Sequence, residues 1–115
     1  MVMVTTLYNG VSLANKSVAT IEAPDQAAKG TEITVKIHVT HSTNNFFHYT
    51  NWVKVIVNGK EAAFWEYSAG NLPEGAKFTK EIKLTINEPM EIVAEANCNI
   101  HGSQGAVNKT INPKE

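Results

Sequence analysis

Apolar residues that recur at every second position are the feature that most limits what this chain can become. In Thr31 to Thr40, Ile33, Val35, Ile37 and Val39 alternate with Glu32, Thr34, Lys36 and His38. Successive side chains of a strand point to opposite faces, so this run predicts a half-buried strand. The alternation returns in Phe78 to Ile86, through Lys80, Ile82, Leu84 and Ile86, and resumes in Glu91 to Asn97. Extended segments are also expected over Ser17 to Ala23, Tyr49 to Val57, Lys60 to Ser68 and Ala106 to Ile111. Pro24-Asp25, Asn71 to Gly75 and Asn87-Glu88-Pro89 punctuate them as turns and loops. Asn58-Gly59 is a strong hairpin signal, because both residues tolerate the positive φ of a type I′ turn. No segment carries a convincing helical period. About seven short strands at regular spacing predict an all-β chain, an immunoglobulin-like antiparallel β-sandwich. The Cys-Trp-Cys pattern of antibody domains is absent, so that likeness is one of architecture.

A length of 115 residues suits a single domain over 1–115, with a weakly patterned opening segment, 1–16, ahead of a sandwich over 17–112. A chain of this size buries roughly two-thirds of its unfolded surface and needs no disulfide staple. Its single cysteine permits no intramolecular disulfide in any case. With 43% hydrophobic and 18% charged residues it is too apolar for a disordered chain. Ten basic against eleven acidic side chains provide no general positive field for a phosphate backbone, which argues against nucleic acid as a partner. The start, Met1 to Tyr8, lacks the basic region of a signal peptide, and nothing approaches the roughly 18 apolar residues of a membrane span. No membrane partner and a cytoplasmic location are therefore expected. The glycosylation triplets at Asn15 and Asn108 read as coincidence.

Chemistry concentrates in one cysteine and four histidines. In Cys98-Asn99-Ile100-His101-Gly102 a strand runs out into a loop. A Cys-x-x-His step there can bring thiolate sulfur and imidazole nitrogen to one ion, and the following glycine permits a sharp backbone path. His41 and His48 bracket another loop, and the loops at one end of a sandwich cluster in space. One soft thiolate with several imidazoles suits iron or zinc rather than calcium or magnesium. The spacing leaves a plainer reading open, in which Cys98 is a small buried hydrophobe and the histidines are surface residues. His38, on the polar face of its strand, reads as solvated. Trp52, Phe64, Trp65 and Tyr67 read as packing residues. Phe46 and Phe47 flank His48 and suit either a wall against water or an apolar anchor for the loop.

The segment Cys98 to Gly102 resembles the C-terminal metal-binding signature of superoxide reductases, the neelaredoxin and desulfoferrodoxin family. Three other segments agree in order: Ile21-Glu22-Ala23-Pro24, His48-Tyr49-Thr50-Asn51-Trp52, and Phe64-Trp65-Glu66-Tyr67-Ser68-Ala69. The likeness spans roughly residues 16 to 112. It implies a seven-stranded immunoglobulin-like sandwich holding a mononuclear non-haem iron, Fe2+ or Fe3+. Four histidines and one cysteine thiolate ligate that iron in the family. Carried over, Cys98 matches the thiolate, and His41, His48 and His101 match three of the histidines. The interval from His41 to His48 is one residue longer than the common pattern, and Ser42 stands where proline is usual.

Asn15-Lys16-Ser17-Val18-Ala19 stands where the family writes Glu-Lys-His-Val-Pro. The lysine is kept as Lys16, which the resemblance makes catalytic by drawing in the superoxide anion. The fourth histidine is replaced by Ser17, and His38 is the one other histidine available to substitute. The implied activity is reduction of superoxide to hydrogen peroxide with an external donor such as rubredoxin, in the one-iron form of the family. A homo-oligomer is compatible with this reading. The alternatives are a metal-binding or electron-transfer relative with little reductase activity, a zinc site built from the same four residues, and a sandwich binding module without metal.

Overall fold

The structure is a computed structural model that describes residues 16–115; most of the opening segment, including Asn15, lies outside the described residues. The described residues contain eight strands: β1 (Val18–Glu22), β2 (Gln26–Ala28), β3 (Thr31–Thr40), β4 (Thr50–Val57), β5 (Lys60–Glu66), β6 (Lys77–Ile86), β7 (Met90–Cys98) and β8 (Val107–Lys114). They form a three-stranded sheet, β1-β3-β6, and a five-stranded sheet, β2-β8-β7-β4-β5. The all-β sandwich expected from the periodicity is therefore present. The addition is β2, three residues after Pro24-Asp25 that pair parallel with the end of β8. Too short to show a period, β2 carries no pattern of its own. No helix among the described residues is long and apolar enough to cross a membrane.

The alternation resolves into one core between the sheets. Val35, Ile37 and Val39 from β3 meet Val53 and Val55 from β4 and Ile92, Ala94 and Ala96 from β7, with Ile111, Ile86 and Ala19 filling the remainder. All are essentially closed to solvent, and burying each larger aliphatic side chain contributes about 1.5–3 kcal/mol. The opposite face of the small sheet is polar, with Thr20, Glu22, Lys36, His38, Thr79 and Glu81 in register across its three strands. At the β4–β5 hairpin, Asn58 and Gly59 take φ of 49° and 81°, as a type I′ turn requires. Asn58 also ties the turn to β7, its side-chain oxygen accepting from the Glu91 amide at 2.8 Å.

The inward parity does not stop where the strands do. Continuing Val35, Ile37, Val39 by two gives His41, which is 3% exposed. Continuing Ile92, Ala94, Ala96 gives Cys98, and stepping back from Ala19 gives Ser17, each 1% exposed. On β4 the register shifts between Thr50 and Trp52, which turns Thr50 inward opposite Cys98. Antiparallel pairing puts the start of β1 beside the end of β3, and the start of β4 beside the end of β7. Ser17, His41, Thr50 and Cys98 thus collect at one end of the sandwich as the polar continuation of an apolar core.

Candidate metal centre

Each donor reaches this end by a different local device. Cys98 closes a tight loop with Gly102: each amide donates to the other's carbonyl, at 2.9 and 3.0 Å. Gly102 has φ of +84°, a conformation that L side chains rarely adopt, so the glycine following His101 is a geometric necessity. Inside the loop, the Ile100 and His101 amides both point at the Cys98 sulfur, with N···S distances of 3.4 and 3.3 Å. Two N–H groups aimed at one sulfur fix its position and orient its lone pairs toward the histidines.

His48 is carried by the 41–50 loop. The side-chain oxygen of Asn45 accepts from the Phe47 and His48 amides, both at 2.9 Å. Asn99, in the cysteine loop, accepts from the Tyr49 amide at 3.0 Å and donates to the Phe47 carbonyl at 3.1 Å. Phe46 and Phe47 are 62% and 77% exposed, so they do not anchor the loop in the core. The side-chain amides of Asn45 and Asn99 hold it instead. Ile100, in the cysteine loop, is exposed as well.

The donor atoms converge. One ligand atom each from His41, His48 and Cys98 lie within 4.8 Å of one another. His101 joins them through Nδ1, which is 3.1 Å from His48 Nε2 and 3.9 Å from Cys98 Sγ. Two nitrogens bound at about 2.1 Å to one ion and at right angles to each other would be about 3.0 Å apart, so the His48–His101 spacing fits a shared ion. The three rings stand edge to face in sequence, with centroids 4.6 Å apart for His41–His48 and 4.8 Å for His48–His101. His41 supplies a further observation. Its Nε2 is buried and has no hydrogen-bond partner among the described residues. A buried orphan acceptor is costly unless something else satisfies it, and a metal ion would. One thiolate and three imidazoles are the donor chemistry of iron or zinc.

The remaining candidates fall elsewhere. His38 is on the polar outer face, bonded through Nδ1 to Thr79 at 2.8 Å and through Nε2 to Glu22 at 2.7 Å. That hydrogen bond, ahead of the nearby charge of Lys36, holds the Glu22 carboxyl below its ordinary range. His38 is therefore not a fourth donor. Ser17 does lie at the same end as the candidate donors: its amide donates to the Gly102 carbonyl and its own carbonyl accepts from the Gln104 amide. Its hydroxyl, however, is paired with that of Thr50 at 2.8 Å. Lys16 is the half-buried residue immediately before it. Sequence reasoning did not single out Thr50, Asn44, Asn45 or Asn99. Their only signal was an excess of amide and hydroxyl residues in the two loops that flank the histidines.

With the geometry in view, comparison with known proteins is informative. Residues 9–104 match the family model for desulfoferrodoxin. A superoxide reductase (neelaredoxin) structure from Ignicoccus hospitalis, a single-residue variant, superposes with a TM-score of 0.69 at 22% identity, covering 90% of this chain and 86% of that one. A mutant of the Archaeoglobus fulgidus superoxide reductase (neelaredoxin), in the reduced form, gives 0.62 at 19% identity, covering 86% and 92%. The sulfur carrier protein SoxY from Chlorobium limicola gives 0.58 at 12% identity, covering 82% and 73%, so the fold alone does not specify a chemistry. No curated protein sequence matches significantly.

Proposed function

This chain belongs to the desulfoferrodoxin family, and from that premise we propose that it is a mononuclear non-haem iron oxidoreductase that reduces superoxide to hydrogen peroxide. The observation that carries the reading is the convergence of His41, His48 and Cys98 donor atoms within 4.8 Å at one end of the sandwich. His101, whose Nδ1 lies 3.1 Å from His48 Nε2, is assigned as the further donor of this proposal. His41, His48, His101 and Cys98 would hold the iron, which would supply the one electron that, with two protons, takes superoxide to hydrogen peroxide, an external rubredoxin-like donor returning that electron. The chain's own residues do the rest. The Ile100 and His101 amides hold the Cys98 sulfur in place as the donor that would tune the electron density of the centre. Lys16, next to Ser17, contributes positive charge that draws the superoxide anion. The exposed Phe46, Phe47 and Ile100 offer the donor an apolar contact beside the histidines. The activity is assigned to one sandwich domain working in the cytoplasm.

Ser17 supports a second reading, a metal-binding or electron-transfer relative with little reductase activity, because its hydroxyl is engaged by Thr50 where the family has a fourth imidazole. Anaerobic reconstitution, metal analysis and a visible spectrum test both readings. Iron with a sulfur-to-ferric charge-transfer band, together with superoxide consumption, meets the first. The band without consumption meets the second. A colourless protein that retains only zinc would overturn both.

A further inference from the structure

We infer that Asn44 is the positioning residue of the centre, fixing His41 in the Nδ1–H tautomer so that Nε2 is the donor. The inference rests on the proposed function for its purpose but on the fold for its geometry. The orientation of the Asn44 amide is settled by backbone. Its nitrogen donates to the Gly75 carbonyl, and its oxygen accepts from the Thr50 amide at 2.6 Å. Flipping the group would set its oxygen against a carbonyl and its nitrogen against an N–H, so the oxygen must be the atom facing Thr50. The same oxygen lies 3.1 Å from His41 Nδ1. An amide oxygen only accepts, so the proton on the ring is at Nδ1. Nε2 is then the lone-pair nitrogen, and it is the atom left buried without a partner among the described residues. Metal-bound histidines generally donate their second N–H to such an acceptor, which sets both tautomer and ring direction.

The site also shows why a residue at position 44 serves this role. The His41 amide is held by the Ala76 carbonyl at 2.8 Å, and Gly75 precedes Ala76 in the strip that Asn44 grips. The other contact of Asn44, Thr50, faces Cys98 across the β4–β7 pair. One carboxamide thus connects the histidine ring, the segment beneath it and the strand opposite the thiolate. Asn99 is a useful contrast, since its side-chain amide hydrogen-bonds loop backbone at two points rather than the His41 ring.

The test uses the full chain without metal. Long-range 1H–15N correlation of the imidazole nitrogens should report His41 as the Nδ1–H tautomer in the wild type. Asn44→Asp, which keeps an acceptor, should retain that tautomer, and Asn44→Leu should lose it. Asn99→Ala should leave it unchanged. Competition between the protein and a chelator for cobalt(II) should then show a roughly 10–100-fold weaker site in Asn44→Leu than in wild type. An Nε2–H wild-type His41, or an unchanged tautomer in Asn44→Leu, would overturn the inference. If Asn44→Leu does not fold, an Asn44→Asp protein with the Nε2–H tautomer would overturn it as well. A wild type with the Nδ1–H tautomer that retained no metal would defeat the proposed function and leave the role of Asn44 supported.

Discussion

Removing the Ser17 hydroxyl should destabilise the metal-free fold while leaving metal retention unchanged. Ser17 and Thr50 are closed to solvent, at 1% and 0% exposure, and their hydroxyls share a 2.8 Å hydrogen bond. Ser17→Ala strands the Thr50 hydroxyl among buried neighbours, at a cost of about 1–3 kcal/mol. For a domain of this size that is a fall in Tm of roughly 3–8 °C per kcal/mol. Thr50→Val, nearly isosteric, strands the Ser17 hydroxyl at similar cost. The double variant leaves neither polar group unpaired, so its loss should be smaller than the sum of the two, with a coupling of roughly 0.5–3 kcal/mol. Urea unfolding of the four metal-free proteins measures this through the midpoint, provided the slope stays constant. A neutral Ser17→Ala, or strictly additive losses, would refute the buried pair. Chelator competition on the same proteins asks the functional question. Loss of metal in Ser17→Ala alone would make the Ser17 hydroxyl a donor and refute the reasoning from the other side.

Cys98→Ser should abolish the sulfur-to-metal charge-transfer colour while far-ultraviolet dichroism stays that of a β-sandwich, because the core lies in the alternating strands; an unchanged visible spectrum would contradict this. Ser17→His should slow loss of iron to a chelator, since position 17 shares inward parity with Ala19 and sits against the Gly102–Gln104 loop. His38→Ala should leave metal retention as in the wild type. The same change should raise the Glu22 carboxyl toward its ordinary value of 4.5, because the His38 hydrogen bond is the first cause of its depression and the charge of Lys36 the second. A carboxyl depressed in the fold stabilises it above the unfolded pKa and loses that contribution as pH falls through the folded one. NMR titration of Glu22 and the acid limb of stability should therefore respond together.

The fold was legible wherever one face of a strand is apolar. β3, β6 and β7 alternate over nine or ten residues each, and their boundaries follow the pattern closely. β2 was not legible, since three residues paired to an edge carry no period. His41 and Cys98 were legible as metal-type residues, and the fold adds that they are the next inward positions after buried strands. Ser17 was singled out only by the family resemblance, and nothing in the sequence showed that its hydroxyl would be taken by Thr50, because a register shift in β4 turns Thr50 inward. Asn44 and Asn99 were hidden for a related reason. Asparagine in a loop usually signals a turn, and only the folded geometry distinguishes an amide that grips a histidine ring from one that closes a bend.

The central claim is most directly tested by mixing the reduced, iron-loaded protein with a pulse of superoxide and counting the products. The account predicts hydrogen peroxide in an amount equal to the superoxide consumed, with matching oxidation of ferrous iron and no dioxygen. Half that peroxide accompanied by dioxygen, or superoxide decay no faster than in buffer, would contradict it.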